Sequence, residues 1–487
     1  MTQPLPITPT QLRQMSICKR RVWLDHHGDG QQRDTFIPTA FIRGLQHEQT
    51  MHAATGDVME TIPVKSWSEG IDVTSRMMQD GVPTIIGAML QHTESLATGH
   101  QITLRGRVDR LVRRVIGVRP AYHAIEIKQY TTLTAADVAQ MDGYLHLLEK
   151  TQGRPVSGTF WLGQRADGLP QDEVHHDLDP DRMQTLLTNT IQTVQQMDAP
   201  PVHLASHCKT CPWVTACTEQ AKTTLDLGLL PHLRQQTRDN LRRAGVSSLD
   251  QFAALSVTEL QQIKGIKTTA PALKANAQAY VQQQPVWFNP LPESLQAGGW
   301  MLDLETAALA GGDGLPWSIG WGDHHGEMHV VVVAPYQDER ILKLPDGNSV
   351  ILVADKDAAW QTVANSVMVN NLPIYHWTGF DASIMQSTAP KAIRTALEPR
   401  MHDLHRTFIN TVRLPQKSYS IKKVAVYFGF FWSGYQDWWR AETDYRDWLE
   451  TGDEQSLAQA CDYQRDDVLA LVEIWSWLVN NRPKSVA

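Results

Sequence analysis

Apolar and charged residues alternate over residues 102–118, a period-two pattern that predicts a strand pair, and 122–128 reads as a further strand. Over 135–149 the period becomes helical. A second alternation of element types begins near Trp300, with strands expected at 300–304, 317–321, 329–333 and 373–376, and helices from Asp381 and over 457–478. Between these regions, 229–280 holds short amphipathic patterns joined by Gly245-Val246 and Gly265-Ile266, which predict a small all-helical module. Gln284-Pro285, Pro290, Pro292 and Gly298-Gly299 then break any helix. The pattern divides the chain into residues 1–225, 226–290 and 291–487, the outer two parts α/β and the middle one a helical connector.

Length agrees with that division, because 487 residues exceed one ordinary core and about one domain per 150 residues gives two to four. With 42% hydrophobic and 20% charged residues, a mean hydropathy of -0.32 and no bilayer-length apolar run, the chain is not expected to span a membrane. Its first residues lack a basic stretch followed by an apolar one, so a cytoplasmic location is expected. The net charge of -8 hides a local excess: between Gln101 and Tyr130 seven basic residues face two acidic ones. That stretch is either a phosphate-binding groove or a solvated strand face. Five cysteines are too few for a secreted disulfide framework, and three of them fall within ten residues, which points to metal.

The chemistry starts with Asp109 on one strand and Glu126-Ile127-Lys128 on the next, where alternation puts Glu126 and Lys128 on one face. Two carboxylates can hold a hard divalent cation that polarises a phosphoryl oxygen, and an ammonium beside them offsets charge on the phosphate. Gln140 and Tyr144 follow one helical turn apart. The set Gly44-Leu45-Gln46-His47, Gly106-Arg107-Val108-Asp109, Glu126-Ile127-Lys128 and Gln140-x3-Tyr144 resembles the RecB-type PD-(D/E)XK nucleases in order and approximate spacing. That resemblance implies a restriction-endonuclease-like fold, with His47, Asp109 and Glu126 as Mg2+ or Mn2+ ligands. It also makes Lys128 the catalytic lysine and Gln140 and Tyr144 supporting helix residues.

Cys208-x2-Cys211-Pro212-x4-Cys217 clusters three thiols, with Cys18 far upstream. Four thiolates suit zinc or an iron-sulfur cluster, and zinc could also use three of them with His203 or His207. One lone cysteine followed much later by three resembles the 4Fe-4S staple of RecB-family exonucleases, including CRISPR-associated ones. The resemblance implies that Cys18, Cys208, Cys211 and Cys217 hold a 4Fe-4S cluster that clamps the ends of the domain together. Cys461 reads as a small buried apolar residue. The helical middle resembles helix-hairpin-helix repeats, although Lys264-Gly265-Ile266-Lys267 has lysine where a second glycine is usual; it is either a DNA-phosphate holder or a plain linker.

A second acidic set opens at Trp300-Met301-Leu302-Asp303-Leu304-Glu305, an apolar strand ending in two acids on one face, which repel unless a cation lies between them. Asp381 follows Ile374-Tyr375-His376, and Tyr463 and Asp467 share a helical face at i and i+4. Four carboxylates can hold two Mg2+ ions about 3.5 to 4 Å apart, with Tyr463 orienting the water. Asp303/Glu305, Asp381 and Tyr463-x3-Asp467 resemble the DEDDy branch of the DnaQ-like 3'-5' exonucleases, which implies an RNase H-like fold. His376 stands near the place where that family carries asparagine, and Asp466 competes with Asp467 but has the wrong offset from Tyr463. Asp403 reads as a strand-end residue. Phe430, Phe431, Trp432, Tyr435, Trp438 and Trp439 form either a base-stacking surface or a hydrophobic plug.

Together these features imply a metal-dependent DNA nuclease, an exonuclease with two hydrolytic sites, that processes single-stranded or frayed ends in repair, recombination or defence, with a helicase among its partners. The alternatives are an RNA-processing exonuclease and a non-catalytic DNA-binding scaffold that recruits a helicase.

Overall fold

The computed structural model describes residues 4–35, 39–62, 66–96, 99–116, 119–231, 233–309, 312–335 and 338–483, without the side chains of 39–43, 115, 116 and 119. The first three residues and the end of the alternation expected over 102–118 therefore lie outside the described residues. The chain forms two compact units, Met1–Thr223 and Thr224–Ala487. The helical segment expected at 226–290 is grouped with the second.

In the first unit the strands are β1 (Leu5–Ile7), β2 (Met59–Thr61), β3 (Thr84–Ser95), β4 (Gln101–Ile116), β5 (Arg119–Lys128), β6 (Ser157–Leu162) and β7 (Asp172–Asp177). They form one sheet in the order β2-β3-β4-β5-β6-β7, with β1 also paired to β4. The alternation expected as a strand pair is one long strand, β4. No turn-forming pair interrupts it, and Gly106 lies inside it because a Cβ there would come 2.9 Å from Pro9 Cγ and 3.0 Å from Tyr144 Cε1. The helix Ala135–Gln152 covers one sheet face; Met141, Tyr144, Leu145 and Leu148 share a core with Leu104, Val108 and Phe160. Its N-terminus is set by a capping box between Thr134 and Asp137, and its end by Gly153 in the left-handed region.

One edge of β4 serves two partners. Residues Arg110–Ile116 pair with β5, whereas Ile102–Leu104 pair with β1. The strands therefore fork at Asp109, and Ile127, which would continue the β5 ladder, donates its N–H to Asp109 Oδ2 at 2.9 Å.

The second unit opens with helices Gln235–Arg243, Leu249–Ala254, Val257–Gln262 and Ala270–Gln282. Asn276 Nδ2 on the last of them donates to Leu414 O at 2.8 Å and Tyr419 Oη at 3.0 Å, tying this module to the sheet-bearing part of the unit. Strand β8 (Val286–Trp287) pairs with β16 (Val412–Arg413). The main sheet contains β9 (Trp300–Thr306), β10 (Pro316–Asp323), β11 (Met328–Val333), β12 (Arg340–Lys343), β13 (Ser349–Val353), β14 (Ile374–His376) and β15 (Met401–Asp403), in the order β12-β13-β11-β10-β9-β14-β15. Alternation on β9 serves two cores. Leu302 and Leu304 pack with Trp360 and Met385, while Met301 joins the core built by the helix Glu454–Asn480. Asp303 and Glu305, at i+2 and i+4 from Met301, share its face. Cys461 is fully buried, and Asp403 ends β15 and caps the helix Leu404–Thr411.

Candidate active sites

In the first unit the β4/β5 fork gathers one continuous hydrogen-bonded set. Lys128 Nζ donates to Glu126 Oε1 at 2.8 Å and to Gln140 Oε1 at 3.2 Å, and Gln140 Nε2 donates to Tyr144 Oη at 3.2 Å. Burial, then the neighbouring Glu126 and Glu48 charges, push Asp109 well above the usual carboxylate range. Burial likewise raises Glu126 against the pull of Lys128. Burial opposes the Lys128 charge, but Glu126 and Asp109 outweigh it and hold the ammonium above its usual range. Lys128 is therefore held as the ammonium beside a carboxyl group whose charged form burial disfavours.

His47 lies on the helix Thr39–Ala54, buried, with Nδ1 3.2 Å from Gln164 Oε1. With Nδ1 turned to Gln164, Nε2 is the ring nitrogen left free to act as a ligand in the neutral imidazole. That Nε2 is buried without a hydrogen-bond partner, and so is Glu126 Oε2. A histidine nitrogen and a carboxylate oxygen left unpaired are the donors a divalent cation takes. Glu48, next to His47, acts electrostatically on Asp109, Glu126 and Tyr144; nothing in the local sequence marked it, since it reads as a surface acid on a helix.

The second unit closes more tightly. Asp303, Glu305 and Asp467 place one ligand oxygen each within 4.8 Å of the others, the single such group of three metal-ligating side chains among the described residues. His47, Asp109 and Glu126 do not reach that spacing. Gly320 makes the second cluster possible: it pairs with Asp303 across β9/β10, and a Cβ there would meet Gln464 Cγ at 2.9 Å and Val468 Cγ2 at 3.0 Å. The helix Glu454–Asn480 can thus lie close enough for Gln464 Nε2 to donate to Asp303 Oδ2 at 2.7 Å.

Each acid has its own support. Trp432 Nε1 donates to Asp467 Oδ1 at 2.8 Å, and the Tyr463 hydroxyl is also bonded to Asp467. The neighbouring Asp466 accepts instead from Ser433 N at 2.6 Å and Ser433 Oγ at 2.8 Å, so it anchors a loop and Asp467 faces the cluster. Asp381, in the first turn of the helix Gly379–Thr388, accepts the N–H of Leu304 and lies with Oδ2 4.0 Å from His376 Nδ1. Thr378 caps that helix at φ +71°, a left-handed conformation costly for a β-branched residue, and its carbonyl is bonded to the His376 ring.

Burial followed by mutual repulsion pushes Asp303 and Glu305 well up; burial brings Asp381 to about 8 and Asp467 to about 6. Carboxylates packed this closely fit a bound cation, which would supply the missing positive charge. Lys422 is the cation that acts on both Glu305 and Asp467, and neither it nor Trp432 was singled out for this site in the sequence. A lysine on a short helix and a tryptophan among many aromatics carry no local signal. Of the aromatic run, Trp432 is buried, Phe430, Tyr435 and Trp438 pack on the core, and Phe431 is 69% exposed.

Against this geometry, residues 39–218 match the PD-(D/E)XK nuclease superfamily model and residues 300–479 the RNase H superfamily model. The chain carries a PD-(D/E)XK domain followed by an RNase H-like domain. No curated protein matches the sequence. Among solved structures, SSO0001 is similar at 15% identity and TM-score 0.24, covering 45% of this chain and 88% of its own. An alkaline exonuclease from Laribacter hongkongensis is similar at 12% identity and TM-score 0.23, covering 39% and 86%.

Four thiols of the first unit come together. Cys18, Cys208, Cys211 and Cys217 line one cavity of about 920 Å3 with Arg20, Arg21, His203 and His207. The helix Lys19–His27, which follows Cys18, is docked on the cysteine loop through Leu24, Cys211 and Trp213, and Trp213 Nε1 donates to Asp25 Oδ1 at 2.8 Å. Burial raises Cys18 and Cys217, and Cys211 to about 11. No three of the thiols lie mutually within 4.8 Å, whereas four sulfurs around one Zn2+ would be about 3.8 Å apart. Elsewhere among the described residues, no helix is long and apolar enough to cross a membrane.

Proposed function

We propose that this chain is a metal-dependent DNA nuclease with two hydrolytic sites. One is a RecB-like site in the PD-(D/E)XK domain; the other is a DnaQ-like, DEDDy-type 3'-5' exonuclease site in the RNase H-like domain. The observation that carries this reading is the group of three carboxylates, Asp303, Glu305 and Asp467, held at ligand spacing with their charges unbalanced. A scaffold would gain nothing from that arrangement, since buried acids without a cation repel one another.

In the second site Asp303, Glu305, Asp381 and Asp467 would hold Mg2+ or Mn2+, and in the first His47 Nε2, Asp109 and Glu126 Oε2 would do so. Bound there, such an ion would supply Lewis acidity toward a phosphoryl oxygen and an attacking water. The protein's own groups do the rest. Lys128, fixed between Glu126 and Gln140, sets a positive charge where the phosphate gains negative charge, and Gln140 and Tyr144 hold it there. In the second site Trp432 and Tyr463 fix the rotamer of Asp467, and the Leu304 N–H fixes Asp381.

The cysteine cavity is read as the seat of a 4Fe-4S cluster. Its support is that the four thiols line one cavity and that the helix following Cys18 packs through Leu24 on Cys211 and Trp213. The cluster would fasten the start of the helix Lys19–His27 to the end of the unit and contribute folding energy. The substrate is read as single-stranded or frayed DNA ends met in the cytoplasm during repair, recombination or defence, a task that would suit partnership with a helicase.

The test is a time course on 5'- and 3'-labelled single- and double-stranded DNA, with matched RNA oligonucleotides, in Mg2+ or Mn2+. Asp109→Ala or Lys128→Ala should abolish one activity and Asp303→Ala another. A double variant as active as wild type sinks the proposal, and faster RNA digestion moves the substrate to RNA.

A further inference from the structure

We infer that Lys422 is a positioning residue of the second site, acting through Tyr463 on Asp467. The inference rests on the nuclease reading of that site. Lys422 sits at the start of the helix Ile421–Tyr427, and Trp377 Nε1 donates to Tyr419 O at 3.2 Å just before it, which holds the approach to the helix. Its ammonium donates to Tyr463 Oη at 2.6 Å and to the carbonyl of Gln436, and lies 4.6 Å from the Tyr463 ring centroid.

A phenol has one proton, and its oxygen can accept. Because Lys422 donates to that oxygen, the Tyr463 proton is committed elsewhere, and the hydroxyl is bonded to Asp467. The order Lys422 to Tyr463 to Asp467 is therefore directional: each donor fixes the next acceptor. Asp467 also receives Trp432 Nε1 on Oδ1, so its carboxylate is held by two donors. The Tyr463 ring is held in turn by Tyr435, stacked at 5.9 Å, whose hydroxyl donates to Asp444 at 2.8 Å. Remove Lys422 and the phenol oxygen loses its donor, its O–H can rotate, and Asp467 loses one of the two bonds that aim it. A lysine that only balanced charge would need no bond to Tyr463, and its loss would add to the loss of the Tyr463 hydroxyl.

The test compares Lys422→Met, Lys422→Arg, Tyr463→Phe and the double variant Lys422→Met/Tyr463→Phe on 3'-labelled single-stranded DNA. Circular dichroism and thermal unfolding verify each fold, and Asp303→Ala is the control. Lys422→Met should lower kcat about 10- to 100-fold. KM, and oligonucleotide binding measured in Ca2+, should stay within about two-fold, because positioning acts on the chemical step. Lys422→Arg, which can still donate to both oxygens, should recover most of kcat, and the double variant should be no slower than the slower single one. Multiplying single effects, an arginine variant as slow as the methionine one, or an unchanged kcat in Lys422→Met overturns the inference. If Asp303→Ala leaves 3' hydrolysis intact, the nuclease reading itself has failed and the Lys422 role falls with it. If hydrolysis depends on Asp303 but not on Lys422, only the Lys422 role falls.

Discussion

Asp467 makes the electrostatic cost of the second site measurable. Burial raises its carboxyl from the ordinary 3.8 to about 6 even though Lys422, Trp432 and Tyr463 all favour the charged form. A carboxyl raised in the folded state binds its proton more tightly there than in the unfolded chain. Between pH 3.8 and about 6 the folded protein therefore holds more protons, and stability falls as pH rises through that window. The rise corresponds to on the order of 3 kcal/mol, lost by pH 7 in chelator-treated protein. For a unit of this size that is about 6 °C in the midpoint of its unfolding. The assay is calorimetry of the full chain in EDTA from pH 4.5 to 7, wild type against Asp467→Asn, which removes this ionisation and also the repulsion it exerts on Asp303, Glu305 and Asp381. Asp467→Asn should flatten the slope of the second unit's transition, and Mg2+ or Mn2+ should stabilise wild type more at pH 7 than at pH 4.5. Parallel curves for the two proteins would refute the claim that this acid is ionised at a cost to the fold.

Other perturbations reach further parts of the molecule. Gly320→Ala should cost about 1–3 kcal/mol by overpacking and lower 3'-end hydrolysis, because the new methyl pushes Gln464 and Val468 off β10; an unchanged melting curve and rate would show that the close approach is dispensable. Asp57→Ala removes the ionic partner of the fully buried Arg110 side chain and should lower the stability of the first unit by about 1–3 kcal/mol in denaturant titration. If the cysteine cavity holds the proposed 4Fe-4S cluster, anaerobically purified protein should absorb in the visible, and Cys211→Ser should bleach it and lower the first unit's melting point; a colourless wild type with stoichiometric zinc overturns that proposal.

Local chemistry made much of this protein legible in its sequence. The alternation on β9 put Asp303 and Glu305 on one face, helical spacing paired Tyr463 with Asp467 and Gln140 with Tyr144, and Glu-x-Lys spacing joined Glu126 to Lys128. Those relations span a few residues and follow from the 2.0 and 3.6 periods of strand and helix. The two matched domain types, one on either side of a short-helix region, were likewise visible as two runs of α/β patterning.

Tertiary structure decided whatever depends on residues distant in sequence. That β4 is one strand shared between β5 and β1, with a fork at Asp109, depends on which segments compete for its edge. The short β12 and β13 were not expected, being brief and partly exposed. Glu48, Trp432 and Lys422 reach their sites from separate elements, with no spacing to announce them. The sequence determined which acids could share a face; packing determined how close they came, because only the approach of a helix over Gly320 brings Asp467 to Asp303 and Glu305 and creates the repulsion a cation would relieve.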